Sequence, residues 1–434
     1  MTTGETLIAS PGGIANGALT VPGDKSISHR ALMLGALAKG RTVIRGFLAG
    51  EDCFATMAAL RQLGVSIDDS DPQRIVVDGV GLHGLRRAEG PLDMGNSGTG
   101  MRLLAGILAG QAFESELTGD ESLQRRPMER IAEPLRAMGA QVTTHDGCPP
   151  LRVQGGDLRP LDFTSPVASA QVKSAILLAG LYADGNTRVR EPGITRDHTE
   201  RMLQTFGGHV TYGDQLAAVH GPAHLSGCEV RVPGDLSSAA FVLGAGCLTG
   251  GSVSVEDVGI NPTRTGVLDI LQLMGANIKL QGRSCFGAEP VATLAVSAGQ
   301  LQGRAIPPEL IPLAIDELPL IFALAACAEG ETVISGAEEL RHKESDRIAV
   351  MVQGLRALGV AVDERPDGAV IQGGGLRGGT IDSAGDHRVA MAFAVIAAAA
   401  DGPIRILDTA NVATSFPGFV PLMEQLGLRV EQGE

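Results

Sequence analysis

The chain has 434 residues, with 49 acidic against 35 basic side chains, a net charge of −14, a hydrophobic fraction of 44%, no Trp and 2 Tyr. The length exceeds what one ordinary core uses and predicts two globular domains. The negative balance argues against nucleic acid or an anionic membrane as the main partner, and the scarcity of aromatics argues against base stacking; an anionic small molecule stays open if basic residues converge locally.

The six cysteines, at positions 53, 148, 228, 247, 285 and 327, form no C-x-x-C pair and have no His at metal-ligand spacing. They read as reduced, mostly buried small hydrophobic side chains of a cytoplasmic protein, and no metal is expected. The N-terminus Met-Thr-Thr-Gly-Glu-Thr lacks the basic and apolar regions of a signal peptide, and the longest apolar run, Val389 to Ala400, is too short for a bilayer span.

In chain order one pattern returns six times, with a period of roughly seventy residues. Each copy has a polar helix start, an Ala/Leu-rich helix, a β-like run, and a second helix ending in a hydrophobic-Gly pair. The first helices are expected near Ser28, Ser97, Ser169, Ser237, Glu317 and His387, and the second ones end at Gly64, Gly139, Gly207, Gly275, Gly359 and Gly427. A Gly there suits the left-handed residue that terminates a helix. Residues 283–309 read as an inserted Gly/Pro-punctuated segment. The turn Val21-Pro-Gly-Asp24 recurs as Val232-Pro-Gly-Asp235, before the first and the fourth copy. The expected lobes are therefore 1–21 with 235–434, and 22–234, joined by hinge crossings near 21–24 and 232–235.

The chemistry-bearing motifs lie mostly at helix entrances, where unpaired N–H groups and the dipole favour an anion. Pro22-Gly-Asp-Lys-Ser-Ile-Ser-His-Arg30 places Lys25, Ser26 and Arg30 there. Gly79 to Gly84 is a literal G-x-G-x-x-G, but no helix pattern follows it, so it reads as a turn between strands. Gly95-Asn-Ser-Gly98-Thr-Gly-Met-Arg102 lets backbone approach a ligand. Arg125 and Arg126 precede a Pro-initiated helix, and one of them is expected to fork onto a carboxylate or phosphate. Ser169 and Gln171 suit the next entrance, whereas Lys173 reads as a surface charge, and the charges of residues 196–201 read as solvated or functional alike. Further on come the acidic pair Asp316-Glu317, then Arg341-His-Lys343-Glu344-Ser-Asp-Arg347, expected to present Lys343, Glu344 and Arg347 on neighbouring helix faces. Asp386-His-Arg388 adds one more guanidinium. These residues predict cofactor-free acid–base chemistry on anionic substrates.

Together with Arg126-Pro127, Ser169-Ala-Gln171 and Thr414-Ser-Phe-Pro417, these motifs resemble the enolpyruvyl transferases almost end to end, and most closely the branch that uses shikimate 3-phosphate. The resemblance implies an α/β fold, a two-lobed inside-out barrel with three βαβαββ units per lobe, helices inside and sheets outside. It implies attack by the 5-hydroxyl of shikimate 3-phosphate on phosphoenolpyruvate, then loss of phosphate. Carried over by position, Lys25, Ser26, Arg30, Ser169, Gln171, Arg196, Asp316 and Lys343 hold shikimate 3-phosphate, and Lys25, Gly98, Arg126, Gln171, Arg347 and Arg388 hold phosphoenolpyruvate. Asp316 takes the hydroxyl proton, Glu344 exchanges a proton with the methylene carbon and Lys25 assists the departing phosphate. No cofactor, nucleic acid or membrane partner is implied, and the chain is expected to act as a monomer.

Two positions depart from the family pattern: Thr414 stands where many members have Lys, and Glu339 where many have Asn. Gly98 stands where Ala goes with tolerance of the inhibitor glyphosate, so sensitivity is expected. The rival readings are the sister activity on UDP-N-acetylglucosamine, whose reactive Cys is missing from residues 119–127, and a non-catalytic phospho-ligand sensor.

Overall fold

In the computed structural model, which describes residues 5–297 and 299–433, the first helix begins ahead of Ser28. Asp24 supplies the cap, its Oδ1 accepting from the N–H of Ile27 (2.9 Å), so α1 runs Lys25–Leu37 and Ser28 lies inside it. The remaining helices are α2 (Glu51–Gln62), α3 (Gly98–Leu108), α4 (Glu129–Met138), α5 (Ala170–Gly180), α6 (His198–Thr205), α7 (Leu236–Thr249), α8 (Gly266–Leu273), α9 (Leu318–Cys327), α10 (Arg347–Ala357), α11 (His387–Ile396) and α12 (Phe419–Gln425).

They are of two kinds. The Ala/Leu/Gly-rich helices α1, α3, α5, α7, α9 and α11 are buried on nearly every side, down to the whole of His387–Ile396 in α11. The intervening helices bury one stripe only; α4, for instance, buries Ile131, Ala132, Leu135 and Met138 while Glu133 and Arg136 face water. A side chain at Gly106 would put its Cβ 2.3 Å from the carbonyl oxygen of Ala175, so glycine is what allows α3 and α5 to touch. All six glycines that follow the second helices are left-handed, with φ between 84° at Gly359 and 114° at Gly139.

Among the described residues six sheets accompany these helices, five of four strands with a recurring order and one of three. In one, Leu92–Asp93 pairs in parallel with Glu114–Thr118, which pairs antiparallel with Cys148–Gln154, which pairs antiparallel with Gln141–His145. The same order of parallel, antiparallel and antiparallel pairs joins Glu229–Arg231 to Lys39–Arg45, Arg74–Val80 and Ser66–Asp68. The strand Thr6–Ser10 lies between Ile404–Leu407 and Arg429–Gly433, which ties the beginning of the chain to its end. Residues 283–309 differ from expectation. Their first part is strand, because Asn277–Phe286 and Glu289–Ser297 are neighbouring long strands, whereas residues 299–307 run outside helices and long strands up to the 3-10 turn Pro308–Leu310. The glycine run 79–84 closes the strand Arg74–Val80 in a turn, as its lack of a following helix predicts.

The chain divides into two compact units. The first comprises residues 5–22, Gly234–Ser284 and 290–433, and the second Gly23–Pro233 and Cys285–Glu289. Each encloses its own apolar cluster. At the boundary the two Val-Pro-Gly-Asp copies bond reciprocally: Asp24 N–H donates to the Pro233 carbonyl and Asp235 N–H to the Pro22 carbonyl, each at 2.8 Å. Among the described residues no helix is long and apolar enough to cross a membrane, and no group of His, Cys, Asp or Glu is arranged to hold a metal.

Candidate active site

On the second unit the candidates gather at the N-termini of α1, α3 and α5. Lys25, in the first turn of α1, pairs with Asp52 of α2, a buried carboxylate that sequence reading did not single out, since an acid in a first helical turn ordinarily complements the dipole. Arg30 is buried deeper in α1. Its Nε donates to Thr199 Oγ1 (2.6 Å), its Nη2 to Ser174 Oγ (2.8 Å) and its Nη1 to the Ser26 carbonyl (3.0 Å). Burial brings its pKa down to about 10, with Glu200 and Asp24 opposing that fall and Arg196 adding to it. Beside it His29 joins Thr56 Oγ1 (2.8 Å) and the Ser97 Oγ that caps α3 (3.3 Å). Burial first, then Lys25 and Arg30, hold this imidazole neutral at physiological pH.

Ser97 turns the chain into α3 at Gly98, and Ser169 turns it into α5. A methyl group on Gly98 would sit 3.1 Å from Nη1 of Arg126. Arg126 is buried and donates to the Asn96 carbonyl (3.1 Å), Asn96 Oδ1 (2.7 Å) and Ser122 Oγ (3.1 Å), while Arg125 is exposed. Packing thus separates the two arginines, one buried and one exposed. Gln171 bridges helices: its Nε2 donates to Thr99 Oγ1 (2.9 Å) and its Oε1 accepts from Arg102.

Lys173 contradicts its reading as a surface charge. It is buried, with Nζ 2.8 Å from Glu191 and 2.9 Å from Glu200, both also buried. The i,i+2 offset from Gln171 does turn it away from the helix entrance, but on an all-round buried helix the opposite face is interior rather than solvent. Asp197, His198, Thr199 and Glu200 are likewise buried, so the run after Arg196 is no solvated face.

On the first unit the acids and cations interlock. Residues 338–342 form a 3-10 turn, Lys343 and Glu344 lie in the bend after it, and α10 starts only at Arg347, capped by Asp346. The expected helical presentation of residues 341–347 therefore fails, yet the turn still delivers Glu344 to Arg347 Nη2 (2.6 Å). Arg347 is fully buried, and its Nε donates to Asp386 (2.8 Å) and its Nη1 to Asp316 (3.4 Å). Burial works to lower its pKa, but Asp386, Glu344 and Asp316 outweigh burial and raise it. Lys343 Nζ lies 3.9 Å and Arg388 Nη2 3.8 Å from the Asp316 carboxylate. Burial lowers the pKa of Lys343, against the pull of Asp316 and Glu339.

Glu317 is buried at the start of α9. It accepts from Ser237 Oγ and lies 3.5 Å from Arg264, so it braces the cluster from behind. Thr414 is buried and donates to the Asn411 carbonyl (2.7 Å). Asp52, Glu191, Glu200 and Arg264 were missed by sequence reading because each acts through a partner distant in sequence.

A family model described as EPSP synthase (3-phosphoshikimate 1-carboxyvinyltransferase) matches residues 10–423. A 3-phosphoshikimate 1-carboxyvinyltransferase of Acidithiobacillus ferrooxidans is 58% identical over 425 residues, 98% of each chain. One of Methylococcus capsulatus is 56% identical over 426 residues, again 98% of each. Among solved structures, an EPSP synthase from Acinetobacter baumannii superposes with a TM-score of 0.89 at 48% identity, over 99% of this chain and 100% of that one. With a family model matching nearly the whole chain and relatives 56–58% identical over 98% of it, the chain belongs to the EPSP synthase family.

Proposed function

We propose that the protein transfers the carboxyvinyl group of phosphoenolpyruvate to the 5-hydroxyl of shikimate 3-phosphate and releases phosphate. The observation that carries this reading is that Asp316 and Glu344 bond to one buried guanidinium, Arg347, at 3.4 and 2.6 Å. Two carboxylates beside a fixed cation suit a reaction in which one proton leaves a hydroxyl while another joins a carbon. A protein that merely captured anions would be weakened by them.

In this mechanism Lys25, Ser26, Arg30, Ser169, Gln171 and Arg196 of the second unit, with Asp316 and Lys343 of the first, hold shikimate 3-phosphate. Lys25, Gly98, Arg126 and Gln171, with Arg347 and Arg388, hold phosphoenolpyruvate. Asp316 removes the 5-hydroxyl proton as its oxygen bonds to C2 of phosphoenolpyruvate, and Glu344 protonates C3. Glu344 then takes a proton back from C3 as the C2–O bond to phosphate breaks, with Lys25 stabilising the charge that moves onto the leaving group. The recurring order of the sheets and the alternation of buried and one-faced helices support six βαβαββ repeats, three to a lobe, with helices inside. The paired Pro-Gly turns support a hinge at 21–24 and 232–235, where two of the passages of the chain between the units fall. A cytoplasmic monomer without a cofactor completes the reading.

Phosphate release with phosphoenolpyruvate tests it. Release is expected with shikimate 3-phosphate and not with UDP-N-acetylglucosamine; release with the sugar nucleotide would favour the sister activity, and release with neither would leave a sensor.

A further inference from the structure

The buried ammonium of Lys173 takes no part in the mechanism, yet it sits where three segments meet. It rises from α5, the helix that begins with Ser169 and Gln171. One partner, Glu191, directly follows the strand Gly185–Arg190 and also accepts from Thr195 Oγ1 (2.6 Å). Lys173 Nζ itself reaches the Thr195 carbonyl (3.5 Å). Thr195 is the residue before Arg196, so one ammonium and one carboxylate grip the chain next to that guanidinium from two sides. The other partner, Glu200, follows Thr199, whose hydroxyl accepts from Arg30 Nε and donates to Ser174 Oγ (2.8 Å), back on α5. The network therefore connects, through buried groups alone, the helix carrying Ser169 and Gln171, the segment carrying Arg196 and the anchor of Arg30.

We infer that Lys173 and Glu191 are positioning residues for shikimate 3-phosphate, fixing the Arg196 segment against α5 so that the ligand meets its polar groups already aligned. The inference rests on the function proposed above. Its energetic basis is that a cation held short of its place by about 1 Å loses much of its directed hydrogen bonding, whereas one held in register costs nothing further to order on binding. Bulk electrostatics predicts the opposite sign. Two carboxylates and one ammonium carry a net negative charge, and removing one carboxylate would by itself favour an anionic ligand.

Three variants separate these effects. Glu191→Leu cuts the carboxylate grip on Thr195 and the brace that Glu191 gives Lys173, but leaves Lys173 and Glu200 as a balanced pair, which protects the fold from an uncompensated buried charge. Glu191→Gln keeps the acceptor, and Lys173→Met removes the hub. For Glu191→Leu the KM for shikimate 3-phosphate is expected to rise about tenfold, the loss of roughly one charge-assisted hydrogen bond. The KM for phosphoenolpyruvate and kcat should stay within about twofold, and Glu191→Gln should recover most of the loss. Lys173→Met should show at least the effect of Glu191→Leu, and if it does not fold the two Glu191 variants decide alone. An unchanged or lower KM for shikimate 3-phosphate in Glu191→Leu would overturn the inference, as would a parallel rise of both KM values with a fall in kcat. The wild-type protein is assayed alongside: if it releases no phosphate from the substrate pair, the functional reading falls and takes this inference with it, whereas an active wild type with an unaffected Glu191→Leu overturns the inference alone.

Discussion

On the second unit, Arg126 donates to Asn96 and Ser122, and Arg30 to Thr199 and Ser174, all neutral oxygens; on the first, Arg347 donates to three carboxylates, Asp386, Glu344 and Asp316. Hydroxyls and amides steady a guanidinium without themselves bringing a negative charge to it. One steadied by carboxylates instead fixes acids in place, where protons can be exchanged. Under the function proposed above, the contrast divides the work: the second unit would chiefly capture anions, and the first chiefly move protons.

The sharpest way to break that division is Glu344→Gln, which keeps the size of the side chain and removes its proton chemistry. Turnover is expected to fall about 10²–10⁴-fold with KM for shikimate 3-phosphate little changed; steady-state kinetics on both substrates checks it. Arg126→Met probes the other side. KM for phosphoenolpyruvate should rise about 10–100-fold, the loss of one or two charge-assisted hydrogen bonds, with a smaller change in kcat. If the two variants produced the same pattern of KM and kcat, the division would not hold.

Gly98→Ala sharpens the capture side. The new methyl would lie 3.1 Å from Arg126 Nη1 and must displace it slightly. A several-fold higher KM for phosphoenolpyruvate is expected, with a larger loss of inhibition by glyphosate; titration of the inhibitor against both proteins reads this out. The smallest effect concerns pH. Burial depresses the pKa of Lys343 below 10.5, and a lysine so shifted loses its charge earlier as pH rises. The kcat/KM for shikimate 3-phosphate should therefore decline on the alkaline side, at a pH below the ordinary lysine range, and Lys343→Arg should move that decline upward. A wild-type profile flat through that range would contradict it.

Much of this arrangement was readable in the sequence because helix ends are local. Ser97, Ser169 and Asp386 cap the helices that follow them, and each Gly that closes a second helix adopts the left-handed conformation its position demands. What stayed hidden depends on distance along the chain. Lys173 reads as exposed until Glu191 and Glu200 are brought to it, and Asp52 reads as a helix-start acid until Lys25 is found on it. The run 341–347 carries a helical charge spacing, but Asp346 is a stronger stop-and-start signal than that spacing, and the helix begins after it.

The division is tested most directly by Asp316→Ala, with turnover and shikimate 3-phosphate binding measured on the same preparation. Asp316 lies among Lys343, Arg347 and Arg388, so removing it deletes an acceptor for the hydroxyl proton and leaves the cations that attract the ligand. Turnover is predicted to fall by about 10²–10⁴-fold while binding remains largely intact. Near-normal turnover, or loss of binding as great as the loss of turnover, would contradict the account.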